Sequence, residues 1–432
     1  MKKAASFALG CKVNQYESEA IAELFAEKGY DIVGIDEAAD VYVINTCTVT
    51  NFGDKKSRQL IRKVKRQNEN AIVAVVGCYA QTAPRELMKV EGVNLVIGTK
   101  DRAQIVEMVE NYKAENGVEN HVSDIMKERV FEPLSIQKLA NRTRAYLKIQ
   151  DGCSQYCSYC IIPYARGPIR SRDPQDVLAE VKRLAENGFK EVVLTGIHVA
   201  SYGKDRHDTS LLEILRQVHE VEGIERIRFS SIEPNVVTEE FARAMAELPK
   251  VCDHFHLSLQ SGCDKTLKEM NRKYDTEKYR QAAATLRKYL PEVALTTDII
   301  VGFPGETEED FQASYAFARE IGFAKIHVFP YSPKKGTPAA ARKDQLLNGV
   351  KSERSHKLME LSDKMADAFI QAYVGREVEV LYERAIGEGL YEGHTTNYIK
   401  VKATSEKDLT NQIVKTRITK AEMEELFGEA QA

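Results

Sequence analysis

The chain has 432 residues, 43% hydrophobic and 29% charged, with 61 Lys+Arg against 64 Asp+Glu and a net charge of −3. That length exceeds one compact core, so two or three domains are expected, and the composition excludes a disordered or fibrous chain. The near balance of charge also excludes a chain-wide field toward nucleic acid, so any RNA site must be a local patch.

The apolar run at residues 4–9 is broken by Gly10-Cys11-Lys12, too short for a signal peptide, and no stretch of membrane-spanning length follows. This reads as a cytoplasmic protein with no membrane partner. Eight cysteines in such a chain indicate metal or redox chemistry rather than disulfides.

Residues 1–116 read as a first domain, with short Val- and Ile-rich strands at 4–9, 41–45, 71–76 and 94–97. Helical patterns at 17–28, 54–67, 84–90 and 102–113 alternate with them, which implies an α/β, doubly wound parallel sheet. Cys11, Cys47 and Cys78 each fall one or two residues past the end of a strand. In a parallel sheet those ends share one edge, where ligands bind, so three thiols distant in sequence should converge. The helix at 54–67 carries Lys55, Lys56, Arg58, Arg62, Lys63, Lys65 and Arg66, which suits either a phosphate backbone or a solvated face.

A polar stretch at 117–140 reads as a connector, and residues 141–371 as a second domain. Six strands are expected there, at 145–149, 191–194, 226–229, 254–259, 293–301 and 325–329. Immediately after the first lies Asp151-Gly152-Cys153-Ser154-Gln155-Tyr156-Cys157-Ser158-Tyr159-Cys160. The C-x3-C-x2-C spacing can hold three irons of a cubane cluster and leave the fourth open. A structural zinc site is the weaker reading, because no fourth Cys or His is local.

Polar or glycine-bearing motifs follow the later strands: Thr195-Gly196-Ile197-His198, then Ser230, Ser231 and Glu233, then Gln260-Ser261-Gly262, then Gly302-Phe303-Pro304-Gly305-Glu306. Each alone could be a helix cap or turn; their recurrence on one edge suggests a ligand site. Cys252 and Cys263 lie outside both triads and read as packing thiols. Residues 372–432 alternate like a small antiparallel barrel with strands at 377–382, 390–395, 398–402 and 411–418. Lys400, Lys402, Lys415 and Arg417 could form a basic face there, with Tyr398 free to stack on a base.

The ten-residue cysteine loop with Pro163-Tyr164-Ala165-Arg166-Gly167 resembles the radical S-adenosylmethionine (SAM) superfamily, and within it the methylthiotransferases. The words around Cys11, Cys47 and Cys78 resemble the amino-terminal domain of that family, and the last 61 residues its TRAM barrel. The resemblance implies an open (β/α)6 barrel in the centre and two [4Fe-4S] clusters. One, on Cys153, Cys157 and Cys160, would cleave SAM to a 5′-deoxyadenosyl radical. The other, on Cys11, Cys47 and Cys78, would take a methyl group from a second SAM and deliver methylthio.

The candidate SAM residues are Tyr159, Thr195, Gly196, Ser230, Ser231, Glu233, Gln260, Asp298, Val301 and Gly302, and the candidate substrate residues are Lys12, Asn14, Arg166, Arg272 and Tyr398. Lys12-Val13 after the first cysteine, and Asn45-Thr46-Cys47-Thr48-Val49-Thr50, look like the branch acting on N6-threonylcarbamoyladenosine at position 37 of tRNA. Isopentenyladenosine or a ribosomal-protein aspartate is the alternative substrate. Expected partners are the tRNA anticodon loop, an electron donor such as flavodoxin or ferredoxin, and a sulfur source. A two-cluster electron carrier without substrate is the competing class, and it predicts fully ligated clusters.

Overall fold

The computed structural model describes residues 1–136 and 143–431. The end of the expected connector and the first two residues of the expected second domain lie outside the described residues.

The first domain is a six-stranded parallel sheet built from β1 (Lys3–Ala8), β2 (Asp31–Ile32), β3 (Val41–Thr46), β4 (Ile72–Gly77), β5 (Leu95–Val96) and β6 (Glu119–Asn120). Its order is β2-β1-β3-β4-β5-β6, so the chain reverses direction across the sheet between β1 and β3. Such a reversal opens a crevice at the carboxyl edge of the strands. The sixth strand falls inside the stretch expected to be a connector; two residues with no apolar alternation carry no strand signal.

The first helix, Lys12–Glu27, begins at once after Cys11, five residues earlier than the pattern suggests. Its burial is two-sided, which blurs amphipathic periodicity. Ile21 and Phe25 pack on the first domain's own sheet, whereas Tyr16 and Ala20 belong to the core of the second domain.

The second domain contains β7 (Arg144–Asp151), a short antiparallel β8 (Arg170–Ser171), β9 (Glu191–Gly196), β10 (Arg226–Phe229), β11 (His254–His256), β12 (Ala294–Val301) and β13 (Lys325–Pro330). One sheet runs β10-β9-β7-β8 and the other β11-β12-β13. Parallel bridges Ile227 to Val251 and Ile232 to Leu257 join them, giving six parallel strands curved into an open barrel. The helix Asn348–Gln371 packs along β13 and leads to the last domain.

There β14 (Glu377–Gly387), β15 (Leu390–Thr395), β16 (Lys400–Thr404), β17 (Ile413–Glu422) and β18 (Glu425–Ala430) close a barrel in the order β14-β15-β16-β18-β17. Val380, Tyr382, Val401, Ile418 and Leu426 fill it. Three of the four cations of the expected basic face have carboxylate partners: Lys400 pairs with Glu392 (3.6 Å) and Glu425 (3.3 Å), Lys402 with Glu425 (2.6 Å) and Lys415 with Glu377 (3.5 Å), while Arg417 is exposed. No helix among the described residues is long and apolar enough to cross a membrane.

Candidate active site

Cys153, Cys157 and Cys160 lie in the loop between β7 and the helix Ile162–Arg166. The Asp151 carboxylate accepts the Gly152 amide (2.8 Å), and Gly167 O accepts the Cys153 amide (3.0 Å), folding the loop back on itself. Gly152 has φ +72°, and a Cβ there would sit 1.8 Å from Pro168 O, so only glycine fits. Across the loop, Arg272 Nη1 donates to Cys157 Sγ (3.2 Å) and Arg272 Nη2 pairs with Glu233 Oε1 (2.7 Å). His198 Nε2 stands 3.3 Å from the other Glu233 oxygen.

Arg272 is therefore spent on a cluster thiol and on Glu233, which corrects the expectation that it meets the substrate. Tyr159 packs on Met270, Phe303, Tyr331 and Ala339 beneath the loop. Burial raises the thiol pKa of Cys153 to about 11 and that of Cys160 to about 12, so iron must displace protons when it binds.

The second triad converges as the topology requires. Cys11 follows β1, Cys47 follows β3 and Cys78 opens a helix directly after β4, so all three thiols sit beside the β1/β3 crevice. Gly10 has φ +99°, and a Cβ there would approach Cys47 Sγ to 2.7 Å; the glycine makes room for the sulfur. Arg166 Nε donates to Cys78 Sγ (3.1 Å). Both triads thus present three thiols with an arginine donor on one of them, a donor set that fits an iron–sulfur cluster hydrogen-bonded through its sulfurs.

Arg166 is fully buried and also holds Glu17 Oε1 (2.5 Å) and Asn14 Oδ1 (2.6 Å). Asn14, itself buried, donates to Leu9 O (2.8 Å) and Thr46 O (3.1 Å). Neither can reach a substrate; both brace the cysteine-bearing loops, because their polar atoms are already committed. Burial raises the Glu17 pKa, but Arg102, Arg166 and Lys148 together outweigh it and hold the carboxyl well below its ordinary range.

A cavity of about 740 Å³ opens where the three domains meet. Cys11 and Lys12 reach it from the first domain, Arg144, Arg228, Ser230, Ser231 and Asp298 from the second, and Tyr398 from the last. Enclosure, then Arg144 and Arg228, lower the Lys12 pKa. Glu191 is buried between Arg144 and Arg228, its Oε1 lying 2.9 Å from Arg228 Nε. Burial alone would raise its pKa, but these guanidinium groups bring it down to about 2.

Tyr398, 37% exposed on the cavity wall, has neighbours for its ring within the protein. It already stacks on His394 (centroids 4.8 Å, 20°), packs against His254 (5.1 Å) and lies under the Arg228 guanidinium (4.8 Å). Its φ of +71° shows the backbone strained to place it there.

Of the other expected cofactor residues, Thr195 and Val301 are buried at strand ends. The space a Cβ would take at Gly196 is occupied by the Gln150 side chain, with Oε1 at 2.8 Å and Cβ at 3.0 Å. The Gly302 amide donates to Glu306 Oε1 (2.9 Å), so it is not free for adenine. Gln260 holds φ +70° and bonds through its backbone with Asp298 O (2.9 Å) and Ile300 N (2.9 Å). Cys252 and Cys263 are buried, as packing thiols should be.

The site also contains residues outside the expected set. Arg226 and Arg228 alternate along β10, and charged residues at both same-face positions of a buried strand are the signal that marks them. Arg228 donates to Thr395 O and Thr396 O (2.7 Å each), and Arg226 to His394 O (2.8 Å) and Glu379 O (3.1 Å). They clamp the small barrel onto the open one.

An open barrel with a three-cysteine loop after its first strand defines a radical SAM enzyme, and a model of the Radical SAM superfamily matches residues 147–318. A second family model, described as Uncharacterized protein family UPF0004, matches residues 3–98, the domain of the other triad. The chain is 47% identical over 426 residues to the threonylcarbamoyladenosine tRNA methylthiotransferase of Bacillus subtilis, covering 98% of this chain and 94% of that one. It is 36% identical over 433 residues to a tRNA-2-methylthio-N(6)-dimethylallyladenosine synthase of Clostridium botulinum, with 97% and 95% covered. Among solved structures, the radical SAM methyltransferase TsrM of Kitasatospora setae shares the fold, with a TM-score of 0.57 at 16% identity over 79% of this chain and 77% of that one. The chain belongs to the radical SAM methylthiotransferase family.

Proposed function

We propose that the protein transfers a methylthio group to C2 of N6-threonylcarbamoyladenosine at position 37 of a tRNA anticodon loop, in the cytoplasm. The observation that carries this reading is the three-domain cavity, whose wall sets Cys11 beside the cations Lys12, Arg144 and Arg228. The 47% identical relative named for the same nucleoside supports it. A threonylcarbamoyl group brings a carboxylate and polar atoms that Lys12 on this wall can pair, whereas a dimethylallyl tail offers it no partner.

When bound, a [4Fe-4S] cluster on Cys153, Cys157 and Cys160 supplies SAM binding and the cleaving electron, and one on Cys11, Cys47 and Cys78 the transferred sulfur. The chain's own residues do the positioning. Arg272 and Arg166 donate to one sulfur of each triad and hold the two loops in place through Glu233 and Glu17. To SAM we assign Thr195, Ser230, Ser231, Gln260 and Val301, which lie at or after the carboxyl ends of barrel strands. The exposed Val49 and Phe52, next to Cys47 and followed by the exposed Lys55, Lys56, Arg62 and Arg66, form the surface we assign to the tRNA backbone. A small electron-transfer protein and a sulfur donor complete the set of partners.

The deciding test is product analysis with anaerobically reconstituted protein and tRNAs carrying either nucleoside. The 2-methylthio product is expected with threonylcarbamoyladenosine, with kcat/KM for the isopentenyl substrate lower by about 100-fold or more. Preference for the isopentenyl substrate would overturn the assignment.

A further inference from the structure

One group of cavity side chains is used by neither thiol triad. His256, Asp298 and His327 stand on the neighbouring parallel strands β11, β12 and β13. Asp298 is in register with His327, and His256 is in register with Thr296, two residues before Asp298. With a two-residue pleat, all three side chains leave the same face of the sheet.

One ligand atom from each lies within 4.8 Å of the other two. Asp298 Oδ2 is 3.3 Å from His256 Nε2, and the two imidazoles are stacked with centroids 5.8 Å apart. His256 Nδ1 is 3.1 Å from Thr296 Oγ1, while its buried Nε2 has no hydrogen-bond partner. That is the arrangement of a metal-binding histidine, one nitrogen anchored by a hydrogen bond and the other left free to ligate.

Among the described residues, no lysine or arginine pairs with Asp298. The nearby Lys325 is engaged by Glu424 and by Asp363 (3.2 Å). A proton between His256 and Asp298 would satisfy those two, but it gives no reason for a second imidazole at the same point.

We propose that His256, Asp298 and His327 form a divalent metal site on the cavity wall. Two imidazole nitrogens and one carboxylate oxygen suit a first-row transition ion and leave coordination positions open. His327 is solvent-exposed and lines the cavity, so the open positions face the space where substrate enters. Resting on the proposed function, those positions take oxygen atoms of the threonyl carboxylate and hydroxyl.

The test is titration of the holoprotein with MnCl2, its clusters held in the EPR-silent oxidised state, following loss of the free Mn2+ signal. Saturable binding of one Mn2+ per chain is expected, displaced by Zn2+ and lost in His327→Gln with cluster iron unchanged. Thr296→Val, which frees the His256 anchor without touching a ligand, should weaken Mn2+ by about 10- to 100-fold. Absence of saturable binding, or equal affinity in His327→Gln, overturns the site. No tRNA is needed for this readout, so it stands or falls apart from the nucleoside assignment. Tighter Mn2+ binding with threonylcarbamoylated tRNA, but not with tRNA lacking that group, supports the substrate role; an equal response to both overturns that role alone.

Discussion

Arg166 shows how a single side chain can be misjudged from its neighbours in sequence. Next to a cysteine loop it looks like a substrate cation, yet its partners Asn14, Glu17 and Cys78 are 152, 149 and 88 positions away. Only the folded chain reveals that its charge is spent internally. Arg166→Met should destabilise the protein by about 3–5 kcal/mol, because Glu17 and Asp151 lose a buried partner. Thermal unfolding of the reconstituted protein measures this, and a loss below about 1 kcal/mol would count against the network.

Glu191 makes the second residue-scale case. Its pKa of about 2 in the fold lies below the ordinary carboxylate range, so it stabilises the native state fully above pH about 4.5 and progressively less as pH falls toward 2. Glu191→Gln should therefore remove part of the acid-dependent stability loss between those pH values, read by denaturant titration across that window. Equal pH dependence in both proteins would contradict the ion pair.

At the scale of elements, both cysteine sets are legible in the sequence: one by its spacing within a single loop, the other because three cysteines past three strand ends of one parallel sheet must meet. The fifth strand of the small barrel is not. Its hairpin turns at Met423-Glu424, both with positive φ (50° and 64°), where asparagine and glycine normally announce the turn. The two-residue turn and the short strand Glu425–Ala430 thus carry no recognisable chemistry.

The helix Asn51–Gln67 presents the opposite situation, a clear basic pattern that is only partly paired among the described residues. Arg58 is held by Tyr79 (2.6 Å) and Lys63 by Asp36, but Lys55, Arg62 and Arg66 are exposed. Neutralising those three should flatten the salt dependence of tRNA binding by about 0.7 to 0.9 in log–log slope for each phosphate that is no longer neutralised. An unchanged slope would assign the helix to solvent.

On the scale of the whole molecule, the domains are joined by polar clamps rather than by broad apolar seams alone. Arg226 and Arg228 close on four carbonyl oxygens of the terminal barrel, and Asn411 adds a bond to Gly188 O (2.9 Å). Arg226→Ala should loosen the barrel without unfolding it. Hydrogen exchange should then speed up in β14 and β15 by about 10-fold, corresponding to about 1.4 kcal/mol, with β7 and β9 unaffected. Uniform acceleration across all domains would mean that the clamp also supports the core.

The shared helix Lys12–Glu27 bears on how the chain is made. Its Tyr16 hydroxyl donates to Leu134 O (2.7 Å), and its Glu17 is neutralised in part by Lys148 and Arg166. When the ribosome has extruded only the first sheet, that carboxylate faces a core with two of its cations still unsynthesised. Until residues 148 and 166 are added to the chain, Glu17 has only Arg102 of its three cations.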